Sequence, residues 1–317
     1  MKRKLNYKKI ALAFIVVVVV ILLIIFGIKG ISSFIKNKNS YEHKLSLVGY
    51  KKDEIKILLK NFEKNDLENI LKIDYNENLA NYSEQKYFNI NKLNEYTAYL
   101  NKNKKSNIKE TIAVINTGAD KEEYDDIRKT DLSKGILMLV NKYNYLESSY
   151  VPKDIVSIPT TYAYEGKSMS KEAMENLIYM LDAARESKFT IVVSSGYRSY
   201  SDQEKVYNNY KSIYSTRQAD DMIFRPGFSE SQTGLSIALE PYSKEVSDVK
   251  TSEEHKWLEQ NAYKYGFIFR YPANSKALTK ADPSDWRMRY VGEVASTKIH
   301  NEKITFEEYY KYYVEKK

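Results

Sequence analysis

Cysteine is absent from the sequence, and histidine is rare. Without cysteine the chain has no disulfide, no thiol nucleophile and no Cys-ligated zinc site. Three histidines, His43, His255 and His300, are the whole supply of imidazole for a metal site or for acid–base catalysis. The lack of disulfides does not fix the cellular compartment, because a chain of 317 residues can bury enough apolar surface to fold without them.

Acidic residues are absent from the first forty positions, which hold eight lysines and arginines. The chain has 50 basic and 42 acidic side chains, so its net charge of +8 belongs to this segment and the remainder is balanced. The pI of about 9.0 therefore comes from the N-terminal tail. A balanced body lacks the clustered positive charge of nucleic-acid-binding domains, so we expect no nucleic acid partner.

Charge is also missing from residues 10–28, an apolar run long enough to span the hydrocarbon core of a bilayer as a helix. A cleaved signal peptide usually has a shorter apolar region, of roughly 7–15 residues, and then a small-residue cleavage site, which does not follow Ile28. We therefore predict an uncleaved transmembrane anchor at 10–28 after a cytoplasmic tail at 1–9. Basic residues are more numerous before the run than after it, which favours an extracytoplasmic body and localisation to the cell membrane.

The body divides into two regions by its hydrophobic pattern. Residues 29–43 are typical of a polar linker, and residues 44–130 have the three-to-four spacing of amphipathic helices. Asp53 and Ser106 are predicted N-caps in this region. We therefore predict a small helical, membrane-proximal module at 44–130, followed by a second domain at 131–317.

Strand and helix patterns alternate within the second domain. A helix is predicted over 171–187, and strands are predicted over 136–140, 190–193, 234–240 and 267–271. Further helix starts are predicted at a capping box of Ser201 and Glu204, at Ser252, and at a capping box of Thr305 and Glu308. Apolar residues alternate strictly with the others over 234–240, so one face of that strand is predicted to be apolar. Short turns between these elements indicate an α+β domain.

Two segments carry a family resemblance. Residues 195–199 read Ser-Gly-Tyr-Arg-Ser, and residues 229–238 begin with Ser229 and have Gly234 at the sixth position. They resemble the signature segments of VanY-type D-Ala-D-Ala carboxypeptidases, which are zinc peptidases that trim peptidoglycan stem peptides. The resemblance implies a central antiparallel sheet flanked by helices, and an extracytoplasmic position. A small helical module often precedes this domain in Gram-positive bacteria.

The zinc ligands and the general base that the resemblance implies are replaced. The family has His, Asp and a second His as ligands and a Glu as base, whereas this chain has Ser231, Ala238, Arg287 and Ser284 at those positions. Trp286 and residues 289–292 fix the alignment of the last two. Hydrolytic zinc needs three protein ligands and a base, so we predict neither zinc nor another cofactor.

A different metal site is an alternative. Glu240, Asp282 and Asp285 lie near the replaced positions in sequence, and carboxylates bind calcium or magnesium. The simpler interpretation is that these are solvated or salt-bridged surface acids.

Residues that contact substrate in the family are retained, namely Arg198, Gln203, Ser229 and Gln232. A guanidinium is suited to bidentate binding of a carboxylate, so Arg198 and Arg287 are predicted to bind a peptide carboxylate together. The alternatives are a structural ion pair for Arg198, and neutralisation of Arg287 by Glu240 or Asp285.

These observations predict a membrane-anchored, catalytically inactive pseudopeptidase that binds peptidoglycan stem peptide or a cell-wall enzyme. One alternative is an active D-alanyl-D-alanine carboxypeptidase that uses non-standard ligands. Another is a purely structural envelope protein. The fold alone does not decide between them.

Overall fold

A computed structural model describes residue 36 and residues 40–242 and 252–315. The predicted tail at 1–9 and anchor at 10–28 lie outside these residues, as does most of the predicted linker. No helix within the described residues is both long enough and apolar enough to cross a bilayer.

The chain forms two compact units, of which the first ends at Lys109. The division is earlier than the predicted boundary after residue 130. Residues 110–130 belong to the second unit because they pack with residues that follow them. For example, the buried ammonium of Lys142 lies 2.6 Å from the carboxylate of Glu123.

The described part of the first unit is helical, as predicted. Its helices are α1 (Tyr41–Val48), α2 (Lys52–Asn61), α3 (Lys64–Ile70), α4 (Leu79–Ser83) and α5 (Leu93–Lys102), and a short 3₁₀ helix (Ile90–Lys92) precedes α5. Asp53 is not an N-cap, because α2 begins earlier and has Lys51 at that position. The carboxylate of Glu54 accepts a hydrogen bond from the Lys51 backbone at 2.7 Å, which stabilises this earlier start.

The described residues of the second unit combine helices with three small sheets. Its helices are α6 (Ile108–Thr117, which crosses the division), α7 (Lys171–Glu186), α8 (Tyr200–Ile213), α9 (Thr216–Met222), α10 (Glu253–Asn261), α11 (Lys276–Thr279), α12 (Glu293–Glu302) and α13 (Phe306–Tyr309). Its strands are β1 (Arg128–Lys129), β2 (Asn144–Tyr145), β3 (Ile155–Ser157), β4 (Ser168–Ser170), β5 (Ile191–Ser195), β6 (Ser236–Pro241), β7 (Phe267–Tyr271) and β8 (Ser284–Tyr290). Short 3₁₀ helices cover Leu132–Leu137, Glu230–Thr233 and Ala262–Tyr265, and a π-helical turn covers Tyr310–Val314.

The central sheet has the strand order β5–β6–β8–β7, and all its pairs are antiparallel. The predicted central antiparallel sheet is thus present. A separate antiparallel pair joins β3 to β4, and β1 pairs with β2 in parallel. The predicted strands at 190–193, 234–240 and 267–271 correspond to β5, β6 and β7, and the predicted helix at 171–187 corresponds to α7.

The two faces of the sheet differ in character. Ile237 and Leu239 of β6 and Met288 of β8 are buried in a core that includes Leu177 and Leu181 of α7. Successive side chains of a strand point to opposite faces, so the residues between them face away from this core. The alternation predicted over 234–240 is confirmed, and the non-core face of the sheet carries the candidate site.

The predicted strand at 136–140 is wrong. Its first residues belong to the 3₁₀ helix Leu132–Leu137, and no strand includes the rest. The side chain of Arg289 explains this, because its Nη2 donates to the carbonyls of Ile136 and Met138 at 2.9 and 3.0 Å. A side chain therefore takes hydrogen bonds that a neighbouring strand would otherwise supply.

Two of the three helix starts predicted in the second unit agree with the structure. Ser252 and the Thr305–Glu308 capping box cap α10 and α13 as predicted. The cap of α8 is Ser199 rather than Ser201, because the Ser199 hydroxyl accepts from the backbone of Asp202.

Candidate functional site

A cavity of about 280 Å³ opens beside the non-core face of the sheet. Strand β8 contributes Ser284, Trp286 and Arg287 to its wall, and β6 contributes Ser236. The turn after β5 contributes Arg198. The segments 229–231 and 220–224 complete much of the wall. The structure thus brings both signature segments to one cavity.

The turn that carries Arg198 is fixed by backbone hydrogen bonds to two other segments. The backbone of Tyr197 donates to the carbonyl of Ser168 at 2.7 Å, and that of Arg198 donates to the carbonyl of Ser231 at 3.1 Å. A side chain at Gly196 would collide with the Ser168 carbonyl oxygen, so glycine allows this close approach. The Arg198 backbone is therefore held directly against the second signature segment.

Gln203 orients the Arg198 side chain from a buried position outside the cavity wall. Arg198 Nη1 donates to Gln203 Oε1 at 3.0 Å, and Gln203 Nε2 donates to the carbonyl of Phe224 at 2.6 Å. Gln203 is buried and is not part of the cavity wall. In the structure Gln203 orients Arg198, and its predicted contact with substrate stays a prediction.

Arg198 has no carboxylate partner within ion-pair distance among the described residues. Burial lowers the pKa of Arg198, and the positive charge of Arg287 lowers it further. Both effects disfavour its charged form, and a bound anion would oppose both. A guanidinium loses its proton only far above neutral pH, so Arg198 stays charged at ordinary pH.

The second signature segment forms a short 3₁₀ helix, Glu230–Thr233. Ser229 caps it and lines the cavity, as does Ser231. Gln232 points elsewhere, because its Nε2 donates to the carbonyls of Glu147 and Tyr150 at 3.0 and 3.2 Å. Gln232 is not part of the cavity wall. Its side chain instead connects the second signature segment to the loop that contains Glu147 and Tyr150.

Glu230 anchors this segment through a buried network of four charges. Glu230 Oε1 lies 2.6 Å from Arg270 Nε, and its Oε2 lies 3.0 Å from Arg289 Nη1 without hydrogen-bond alignment. Arg270 also makes a bidentate pair with Glu307, at 2.9 and 2.6 Å. Burial raises the pKa of Glu230, but Arg270 and Arg289 outweigh burial and hold the pKa below its ordinary value. The network is internally neutral, so it fixes the site without adding net charge.

The four replaced family positions lie together. Ala238 is paired with Arg287 across the β6–β8 ladder, and Ser231, Ser284 and Arg287 line the cavity. Ala238 is buried and is not part of the wall. The alignment drawn from Trp286 and residues 289–292 is consistent with this register.

Within residues 40–242 and 252–315, no acid lies close enough to Arg287 to neutralise it. Neither Glu240 nor Asp285 lies within ion-pair distance of it, and Glu240 instead accepts a hydrogen bond from Tyr164 at 2.6 Å. Among the described residues, Arg287 has no ion pair at all. The predicted alternative of a local acid that closes the cleft is therefore not found in the described part of the chain.

The residues at the site do not fit zinc. Serine, alanine and arginine stand where imidazole and carboxylate ligands are needed, and arginine has no lone pair to offer a metal. Within 40–242 and 252–315, no three His, Cys, Asp or Glu side chains are grouped so as to hold a metal ion. The alternative carboxylate site of Glu240, Asp282 and Asp285 is thus not assembled, and Asp282 is instead paired with Lys276 at 2.6 Å.

One wall of the cavity was not predicted from the sequence. It includes Lys142 and the end of α9, with Asp220, Asp221 and Phe224. These residues lie outside both signature segments, and they have no periodic or motif signal. These residues line the cavity only because the folded chain places the end of α9 and the residues after it opposite Arg198 and Arg287.

Comparison with known proteins identifies the family. Residues 166–293 match the family model VanY, described as D-alanyl-D-alanine carboxypeptidase. The chain is 36% identical over 204 residues to YodJ of Bacillus subtilis (strain 168), which is named as a carboxypeptidase. The match covers 60% of this chain and 75% of YodJ. The chain belongs to the VanY family.

Two further comparisons define the extent of this likeness. The D-alanyl-D-alanine carboxypeptidase of Enterococcus faecalis (strain ATCC 700802 / V583) is 29% identical over 182 residues, covering 55% of this chain and 65% of that protein. The solved LdcB LD-carboxypeptidase, a structure described as revealing the basis of peptidoglycan recognition, superposes with a TM-score of 0.55. It is 35% identical, and the match covers 60% of this chain and 92% of LdcB. The VanY-like fold of the second unit is therefore established.

Proposed function

We propose that this protein is a membrane-anchored, extracytoplasmic VanY-family pseudopeptidase that binds the carboxylate end of a peptidoglycan stem peptide without hydrolysing it. The observation that carries the proposal is the pair of guanidinium groups, Arg198 and Arg287, in one cavity with no carboxylate partner among the described residues. The family relatives supply the ligand class, since their names and descriptions refer to D-alanyl-D-alanine and peptidoglycan.

Two like charges in a partly buried cavity repel each other, and an anion between them removes that cost. A peptide carboxylate has two oxygens and can accept hydrogen bonds from both guanidinium groups, which are fixed donors at any ordinary pH. Arg287 supplies a positive charge but cannot activate a water molecule as a zinc ion does. This combination favours binding over catalysis.

The membrane anchor rests on the apolar run at 10–28 and its flanking basic residues. An extracytoplasmic body also places the cavity on the side of the membrane where stem peptides are found. The same proposal has a second form, in which the partner is a cell-wall enzyme. In that form the carboxylate that binds Arg198 and Arg287 belongs to the partner protein.

The two alternatives make different demands on the site. An active carboxypeptidase would need another nucleophile-activating group, and His255 and His300 are not part of the cavity wall. A purely structural envelope protein would have no reason to leave two half-buried cavity arginines without a carboxylate partner, because an unpaired charge that is partly removed from water is unfavourable.

A binding experiment with the full-length protein in lipid nanodiscs tests the proposal. The probe is the tripeptide Nα-acetyl-L-Lys-D-Ala-D-Ala, and its matched control is the same peptide with a C-terminal amide. Binding can be followed by calorimetry and by the fluorescence of Trp286, which lines the cavity and is 44% exposed.

We expect the acid to bind and the amide to bind at least about tenfold more weakly, since a charge-assisted hydrogen bond contributes roughly 1.5–3 kcal/mol. We expect no release of D-Ala from the acid. Chelator-sensitive release of D-Ala would support the active enzyme, and failure of both peptides to bind at millimolar concentration would support the structural protein.

A further inference from the structure

Two positive charges of the cavity wall are left without compensation by the described part of the chain. Arg198 and Arg287 are half-buried in this wall, and neither has an ion-pair partner among the described residues. The negative charge of Asp202 acts on Arg198, but Asp202 is exposed and is paired with Lys205 at 2.9 Å. The charge of Arg287 also acts on Arg198, so the two guanidinium groups are close enough to repel each other.

The carboxylates of the same wall do not supply the missing negative charge, because other cations already bind them. These pairs are Glu230 with Arg270, Asp220 with Arg225, and Asp282 with Lys276, at 2.6, 2.7 and 2.6 Å. The negative charge of Asp221 likewise acts on the Lys276 ammonium. A ligand that enters the cavity therefore meets uncompensated positive charge at Arg198 and Arg287.

Ser284 is an independent sign that a ligand oxygen belongs at this wall. Its side chain is 9% exposed, and its hydroxyl has no hydrogen-bond partner within residues 40–242 and 252–315. A buried hydroxyl without a partner costs free energy. Ser284 lines the cavity and is on the same strand as Arg287, so an anion bound at Arg287 could accept the missing hydrogen bond.

A carboxylate meets these demands only in part. Its single negative charge leaves one of the two guanidinium charges without compensation. Phosphate carries close to two negative charges at about pH 8, and it has more acceptor oxygens than a carboxylate has. Guanidinium groups bind phosphate oxygens in pairs, as they bind carboxylates. Phosphate can therefore compensate both arginines and still accept a hydrogen bond from a hydroxyl.

We propose that this cavity binds inorganic phosphate, with Arg198, Arg287 and the Ser284 hydroxyl donating hydrogen bonds to its oxygens. Ser284 and Arg287 are two of the four replaced family positions, so an anion would be bound where the family resemblance implies a metal cation. This inference goes beyond the proposed function, because phosphate is a second ligand that occupies the same guanidinium groups and excludes a peptide carboxylate. It does not require that a stem peptide binds.

Calorimetric titration of the full-length protein with inorganic phosphate at about pH 8 tests the inference. Detergent micelles free of phosphate keep phospholipid headgroups out of the measurement. Dimethyl phosphate is the matched ligand control, because it has the same tetrahedral centre but a single negative charge. The variants are Arg287→Ala, Ser284→Ala and Arg217→Ala. Arg217 is an exposed residue of α9 outside the cavity wall, so its variant controls for the loss of one positive charge.

For the unmodified protein and for Arg217→Ala, we expect phosphate to bind at least about tenfold more tightly than dimethyl phosphate, the value of one charge-assisted hydrogen bond. Arg287→Ala should weaken phosphate binding by at least about tenfold, and Ser284→Ala should weaken it by about twofold to tenfold. Equal affinity for the two ligands, or no phosphate binding at millimolar concentration, would overturn the inference. An unchanged phosphate affinity in Ser284→Ala, or an equal loss in Arg217→Ala and Arg287→Ala, would overturn the proposed site.

Titration of the tripeptide acid with and without saturating phosphate separates this inference from the proposed function. We expect phosphate to weaken peptide binding, because both ligands need Arg198 and Arg287. Phosphate binding without any peptide binding would overturn the proposed function and leave the inference intact. Peptide binding without phosphate binding would overturn the inference alone, and binding of both ligands without competition would also overturn it.

Discussion

Ala238 lies directly opposite Arg287 in the antiparallel ladder between β6 and β8. Two of the four replaced family positions therefore form one cross-strand pair, in which a small apolar side chain stands beside a long cationic one. An aspartate at 238 would have neutralised Arg287, whereas alanine leaves the guanidinium free to face the cavity. The two replacements are thus consistent with each other and make the site cationic.

The first prediction compares Arg287 with Arg289, two residues along the same strand. Arg287→Ala should weaken binding of the tripeptide acid by roughly 1.5–3 kcal/mol, because it removes a charge-assisted hydrogen bond. The free energy of unfolding should change by less than about 0.5 kcal/mol, because no carboxylate partner is left behind. Calorimetric titration and urea unfolding measure the two quantities.

Arg289→Ala is the contrasting variant. Arg289 is fully buried and belongs to the network with Glu230, so its loss should cost about 3–5 kcal/mol of stability. A large loss of stability in Arg287→Ala would show that Arg287 is a structural ion-pair member, contrary to the proposal.

The contrast between these two arginines shows what the sequence can and cannot predict. Local patterns predicted β6, β7 and the cap at Ser252 correctly, because alternation and capping depend on neighbouring residues. The motif frame also brought Arg198, Ser231 and Arg287 to one cavity. It could not reveal that Gln232 binds the carbonyls of Glu147 and Tyr150, which are far away in sequence.

Long-range pairing explains the other differences as well. Residues 136–140 have strand-like composition, yet the Arg289 side chain takes their carbonyls. The wall that contains Asp221 could not be predicted, since nothing in α9 itself indicates that it closes a cavity. In each case the deciding partner is remote in sequence, and a single sequence gives no measure of such contacts.

The second prediction concerns Glu230 and pH. Glu230→Gln should lower the free energy of unfolding by about 3–5 kcal/mol near neutral pH, because Arg270 and Arg289 lose a buried counter-charge. The folded-state pKa of Glu230 lies below its ordinary value of 4.5, so its stabilising contribution is complete above that pH. The contribution is lost as the pH falls through the folded pKa, where the carboxylate is protonated.

Urea unfolding of the unmodified protein and of Glu230→Gln, from about pH 7 to about pH 3, measures this dependence. The difference between the two proteins should narrow as the solution becomes acidic. A constant difference over this range would mean that the charge of Glu230 contributes nothing and that only its shape matters.

The third prediction concerns topology. The run at 10–28 should hold the chain in the membrane with its body outside, so protease added to intact protoplasts should digest the body. Immunoblotting against the C-terminal region follows the digestion, and a cytoplasmic marker protein is the control for lysis. Survival of the body until the protoplasts are lysed would reverse the predicted orientation.

The last prediction concerns the metal. The unmodified protein should carry no stoichiometric zinc after dialysis, because its four site positions offer neither imidazole nor carboxylate. The quadruple variant Ser231→His, Ala238→Asp, Ser284→Glu, Arg287→His restores the donor set on a backbone where 238 and 287 are already paired. Its new carboxylates are buried and like-charged without metal, so zinc should raise its melting temperature, as a ligand that binds only the folded state does.

Elemental analysis and thermal unfolding with and without zinc measure the zinc content and the melting temperature. The unmodified protein should show neither bound zinc nor a zinc-dependent rise in melting temperature. Release of D-Ala is a separate measurement, because catalysis also depends on residues that orient the ligands and the four changes do not address those. Tight stoichiometric zinc in the unmodified protein would contradict the pseudopeptidase proposal directly.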